Sequence, residues 1–245
     1  MSHPETSRTG ESPATVTPSA AGSQELERPV PSSDERADRS NRGADVLQHA
    51  RELAHVGEMT AALTTLRALI AREPKHARAR QLLAELLAHK GDVESAIVEV
   101  SRALELAPDD VPNLCLRAAL CTSRAKYDQA ETDLKRAAKL AGFNPDVQVQ
   151  LGVLFCKRAR WREAIEPLRA AIAAEPRHAA AHYHLGDAYN SVDDLPAALS
   201  AYETAAQLEP TNDRPLLRIG VVLDRMGRPA EAAAAYRRAR AASGR

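Results

Sequence analysis

The residues of this chain best suited to metal binding or nucleophilic attack are three cysteines and eight histidines. Their spacing scatters them. Cys115 and Cys121 are six apart, roughly 240° around a helix, and Cys156 belongs to no CxxC pair. An odd count without paired spacing suits buried thiols in a reducing compartment. His182 and His184, two apart, point to nearly opposite sides of a helix and cannot share a metal. His76 and His178 fall where Asn144 and Asn212 also sit, between apolar-periodic segments, and read as turn residues. The chain carries no P-loop, no GxGxxG after a strand, no GxSxG and no HExxH. Arg237, Arg238, Arg240 and Arg245 cluster near the C-terminus without interleaved aromatics, which predicts no nucleic-acid surface. The residues thus predict a protein that is not an enzyme, with no cofactor and no metal.

Composition narrows the class. Lys plus Arg and Asp plus Glu number 33 each, aromatics are 3%, and alanine is about one residue in five. The balance gives no global field toward nucleic acid or anionic lipid, and the alanine content favours helix. No run of 18 apolar residues exists and the first residues, MSHPETSRTG, lack an apolar core. A cytoplasmic protein without membrane insertion is expected. Residues 1–42 are rich in Ser, Thr, Pro, Glu and Arg, with seven acids and five arginines. They lack the apolar surface that would offset ordering entropy and read as a disordered tail.

From residue 43 the chain repeats. Pro74, Pro108, Pro176 and Pro210 are separated by 34, 68 and 34, and the missing member falls at Gly142. A period of 34 divides the remainder into six units: 43–76, 77–110, 111–144, 145–178, 179–212 and 213–245. The eighth residue is small in every unit: Ala50, Ala84, Ala118, Gly152, Gly186 and Gly220. The twentieth is always alanine: Ala62, Ala96, Ala130, Ala164, Ala198 and Ala232. The spacing predicts a helix A over about the first 14 residues of each unit, a short turn, and a helix B ending before the proline. Glycine inside a helix gives up ~1 kcal/mol relative to alanine. The expected return is close approach of the two helix backbones at the eighth and twentieth positions. Pro167, inside a predicted helix B, is expected to bend it. Arg240 stands where the earlier units have Ile70, Leu104, Ala138, Ile172 and Ala206, as suits the polar outer face of a terminal unit.

This pattern resembles the tetratricopeptide repeat, a 34-residue helix–turn–helix with small residues at set positions and a closing proline. The resemblance covers residues 43–245. It implies an all-α fold, a right-handed α-solenoid of six units and twelve helices. Unit 3 departs most, with Arg117, Ala125, Glu131 and Gly142 at diagnostic columns. The resemblance also implies that helices A line a concave groove that takes a protein or peptide partner. Gln81, Glu85, Cys115, Ala119, Val149, Val153, Tyr183, Asp187 and Arg218 would then face the partner, with an apolar centre at units 3 and 4. Co-chaperone members of the family clamp a chaperone's C-terminal carboxylate with Lys at the fifth and Asn at the ninth position of one helix A. No unit here carries that pair, so this clamp is expected to be absent. The function expected is a non-enzymatic adaptor or scaffold. The alternatives are a self-associating structural module and an accessory subunit of an enzyme or of a secretion or assembly machine.

Overall fold

The computed structural model describes the backbone of residues 33–244 and the side chains of residues 43–244. Among the described residues there are twelve α-helices and no strand. The odd-numbered helices are the helices A: α1 (Ser33–His55), α3 (Ala77–His89), α5 (Val111–Ser123), α7 (Pro145–Lys157), α9 (Ala179–Ser191) and α11 (Asp213–Arg225). Their partners are α2 (Met59–Arg72), α4 (Val93–Leu106), α6 (Tyr127–Ala141), α8 (Trp161–Ala174), α10 (Leu195–Leu208) and α12 (Pro229–Ala242). Each helix packs on the one before and the one after from α2 onward, the architecture of an α-solenoid. The expected tail over 1–42 lies outside the described residues up to residue 32. Over 33–42 the backbone is helical, because α1 begins ten residues before the first repeat unit. In sequence, acids at 35 and 38 precede arginines at 39 and 42 by four residues, a spacing that favours helix.

Each helix A ends the same way. After each helix A one residue takes a positive φ: Gly57 (88°), Gly91 (88°), Ala125 (58°), Ala159 (57°), Asp193 (69°) and Gly227 (73°). The next amide then reaches back five residues, as Glu58 to Leu53, Asp92 to Leu87 and Lys126 to Cys121. This is the left-handed closure that satisfies orphan carbonyls at a helix end. Three units meet the requirement with glycine, and three strain a side-chain-bearing residue.

The closing prolines occupy the second position of a β-turn, where φ near −65° is needed. In each such turn the residue before the proline accepts from the residue two after it, as His76 N–H to the Glu73 carbonyl and His178 N–H to the Glu175 carbonyl. The fourth turn residue then caps the next helix A. Asp110 and Asn212 do so with side-chain oxygens, and Asn144 caps α7 in the same way with no closing proline before it. His76 and His178, expected as turn residues, also cap: their Nδ1 atoms accept the Ala79 and Ala181 amides at 3.2 Å. Helix α8 runs through Pro167 from Trp161 to Ala174.

All six alanines of the twentieth column are at most 1% exposed. The eighth column is buried too, but its glycines make room for side chains and not for a bare backbone. A Cβ on Gly186 would lie 2.7 Å from the Tyr202 ring, and one on Gly152 or Gly220 would strike Leu168 or Tyr236. These three partners share the twenty-fourth column. In units 5 and 6 the two columns are complementary in volume, Gly with Tyr202 or Tyr236 where units 1–3 pair Ala with Leu66, Val100 or Leu134; unit 4 pairs Gly152 with Leu168.

Unit 3 replaces an apolar contact with an ion pair. Arg117 stands where other units have Leu83, Leu151, Leu185 or Ile219. Its guanidinium donates two hydrogen bonds of 2.7 Å to Asp133, which is 3% exposed. The bidentate geometry is what a buried charge requires.

Candidate functional site

Helices A of adjacent units touch one another directly: α3 with α5, α5 with α7 and α7 with α9. Among the described residues no two helices B are in comparable contact. From α3 to α9 the helices A therefore form one layer of the stack, and their free faces adjoin one another.

The nine residues expected on that surface fall into three groups. At the unit 2 end, Gln81 and Glu85 are half-buried and bonded to each other, Gln81 Nε2 donating to Glu85 Oε1 at 3.0 Å. At the centre, two clefts open between α5 and α7. One, about 370 Å³, is lined by Val111, Pro112, Cys115, Val147, Val149 and Gln150, with Asn144, Asp146 and His178 at its edge. The other, about 480 Å³, is lined by Ala119, Thr122, Ser123, Ala125, Tyr127, Val153 and Lys157. At the unit 5 end, Tyr183, Asp187 and Arg218 form one network. Asp187 accepts from the Tyr202 hydroxyl at 2.7 Å and lies 3.4 Å from Arg218 Nε, which also donates to the Tyr183 hydroxyl at 3.4 Å. Arg225 repeats the bridge two turns on, binding Asn190 and Asp193.

The expected apolar centre requires a correction. Val149 and Cys156 are each 8% exposed and belong to the core of units 4 and 5. Helix α9 covers the fifth position of unit 4, so Val149 forms the floor of a cleft and is not an exposed anchor. What the centre displays is Ala119, which is exposed, with half-buried Cys115 and Val153. Gln150, the sixth residue of unit 4, also faces the first cleft, and its Oε1 is buried without a hydrogen-bond partner.

The thiols are held neutral. Burial pushes the Cys156 thiol up to about 12. Burial, with the nearby carboxylates of Asp146 and Asp133, raises Cys115, and burial raises Cys121. Burial, then the hydrogen bond to Asp187, raises the Tyr202 phenol. Each shift favours the uncharged form, the reverse of an activated nucleophile. Among the described residues no three His, Cys, Asp or Glu side chains are grouped to hold a metal ion, and no helix is long and apolar enough to cross a membrane.

A tetratricopeptide repeat family model matches residues 47–111, 149–213 and 192–245, well over half of the chain. The unmatched stretch, 112–148, is most of unit 3. No curated protein matches the chain. Among solved structures, MamA is 25% identical with a TM-score of 0.59, over 66% of this chain and 95% of MamA. YrrB, a repeat protein with an unusual peptide-binding site, is 18% identical with a TM-score of 0.57, over 73% of this chain and 92% of its own. The pilF protein of Pseudomonas aeruginosa is 17% identical with a TM-score of 0.73, over 84% of this chain and 94% of its own. The last two show likeness of fold.

Proposed function

The chain belongs to the tetratricopeptide repeat family, and from that premise we propose that it is a non-enzymatic scaffold holding a segment of a partner protein in the groove lined by helices A. One observation carries the reading. From α3 to α9 the helices A form one layer whose centre has two clefts between α5 and α7, while both flanks are tied up in internal polar contacts. A segment laid across the centre gains apolar contact with Cys115, Ala119 and Val153. Gln150 and Lys157 stand beside them as polar partners for its backbone or side chains. Clefts with an apolar lining and few polar groups are the usual form of such sites.

The test uses positions that fold does not depend on. Ala119 and Lys157 are exposed, so Ala119→Arg and Lys157→Glu leave the helices intact. The wild-type chain and each variant are used as bait in native lysate, with circular dichroism as the folding control. Loss of the same bound protein from both variants supports the groove. A bound protein retained by both variants at the wild-type level rejects it. Val149→Asp is unsuitable, because it places a charge in the core.

A further inference from the structure

The unit junctions within the chain identify the columns that a following unit covers. The fifth residue of a unit is buried at Leu47 and Val149 and half-buried at Gln81, Cys115 and Tyr183, but 43% exposed at Leu217. The twenty-eighth is 6% exposed at Leu104 and 7% at Ala206, whereas Arg240 in that column is exposed. One helical turn beyond Leu217, Val221 is 39% exposed. Leu217 lies in a column that is buried at Leu47 and Val149, and Val221, one turn on, lies in the column of exposed Ala119; together they form an exposed apolar strip on α11. Among the described residues nothing covers it.

The rim of this strip is cationic. Unit 5 (179–212) has five acids and no Lys or Arg, while unit 6 (213–245) has eight arginines against three acids, a net +5. Three of those arginines are paired: Arg218 with Asp187, Arg225 with Asp193 and Arg228 with Glu231. Arg214, three residues before Leu217 and so on the same helix face, is exposed and in no ion pair among the described residues. The same holds for Arg240.

We propose that the Leu217–Val221 strip, rimmed by Arg214 and Arg240, docks an acidic amphipathic helix of a partner protein, seated as a further helix A would be. Apolar residues of that helix at i, i+3 or i+4, and i+7 cover Leu217 and Val221. Carboxylates on either side of its apolar stripe meet the two arginines. Two copies of this face brought together would oppose arginine with arginine, so the charge selects a different, acidic partner. The site is separate from the groove centre and does not depend on it.

The full chain is titrated with a labelled peptide of about 20 residues built from Leu, Ala and Glu, with a leucine stripe at helical spacing flanked by glutamates. Fluorescence anisotropy reads binding at low and high salt. The peptide is expected to bind at low salt and to weaken at high salt. Leu217→Asp with Val221→Asp lowers its affinity at least ~tenfold, and Arg214→Glu with Arg240→Glu lowers it several-fold. The groove variant Ala119→Arg binds as wild type. The same peptide with Lys in place of Glu does not bind. Equal affinity for both peptides, unchanged affinity in the Leu217/Val221 variant, or no binding of the acidic peptide overturns the proposal. Light scattering that shows a dimer dispersed by Leu217→Asp and Val221→Asp also overturns it, by making a second copy the occupant.

Discussion

Replacing Gly186 by alanine sets a gain in helix propensity against a collision. In a helix interior the gain is about 1 kcal/mol. The added Cβ would lie 2.7 Å from Cδ1 and Cε1 of Tyr202, well inside the ~3.5–4.0 Å at which carbon atoms attract. The ring cannot step aside: Tyr202 is 0% exposed and its hydroxyl is held by Asp187 at 2.7 Å. Overpacking of this kind costs about 1–3 kcal/mol, so Gly186→Ala is expected to destabilise by ~1 kcal/mol net. Gly220 supplies the contrast. Its neighbour Tyr236 is only half-buried and bonds exposed Asp224, so the ring can swing outward. Gly220→Ala should therefore stay within about 0.5 kcal/mol of wild type. Gly186→Ala with Tyr202→Leu places at columns eight and twenty-four the residues that units 1 and 3 carry there, Ala50 with Leu66 and Ala118 with Leu134. The double variant should be ~1–2 kcal/mol more stable than the sum of the single effects predicts. Urea unfolding followed by far-ultraviolet circular dichroism measures all four. A gain of the full ~1 kcal/mol for Gly186→Ala, or simple additivity of the pair, would refute the volume complementarity.

Three further outcomes are expected. Ala125→Gly and Ala159→Gly relieve positive-φ strain at 58° and 57°, and each should raise the urea midpoint, by about 1 kcal/mol in stability; lowered midpoints would show that these turns carry no strain. Asp133→Ala strands Arg117 and should destabilise by ~3 kcal/mol, while Arg117→Leu with Asp133→Ala, which restores the apolar pairing of other units, should regain most of that loss; a double variant no better than the single would contradict it. The Cys156 thiol is raised from 9.0 to about 12 by burial, so the unfolded chain releases that proton first as pH rises. Stability should then fall progressively from roughly pH 9 towards pH 12 and be fully present below pH 9; Cys156→Ala should flatten that slope, and an unchanged slope would exclude the thiol as its source.

The fold was legible because a 34-residue period repeats the same steric demand six times. The small eighth column and the alanine twentieth column register in every unit and the closing prolines in units 1, 2, 4 and 5, and each lands where the period places it. The turns were legible in position and not in conformation: Ala125, Ala159 and Asp193 adopt the geometry of Gly57, and nothing in those side chains announces it. The reason for Gly152, Gly186 and Gly220 was half visible, since a glycine reports that something comes close but not that it is the side chain of the twenty-fourth column. The groove was the least legible part. Val149 and Leu217 share a column and an apolar character, yet one is covered by α9 and the other is open. Exposure in a solenoid depends on the neighbouring unit, which a single repeat's sequence does not record. Unit 3 hid its Arg117–Asp133 pair for a similar reason: two charges sixteen residues apart read as surface until both helices are in place.

Whether helices A present the binding face can be measured by photo-crosslinking. A photoreactive residue is placed at Ala119, exposed on α5, and in a second protein at Thr132, exposed on α6. Each is irradiated in native lysate. The groove lined by helices A predicts one dominant crosslinked protein from position 119 and none of it from position 132; the same protein crosslinked from 132 and absent from 119 would contradict it.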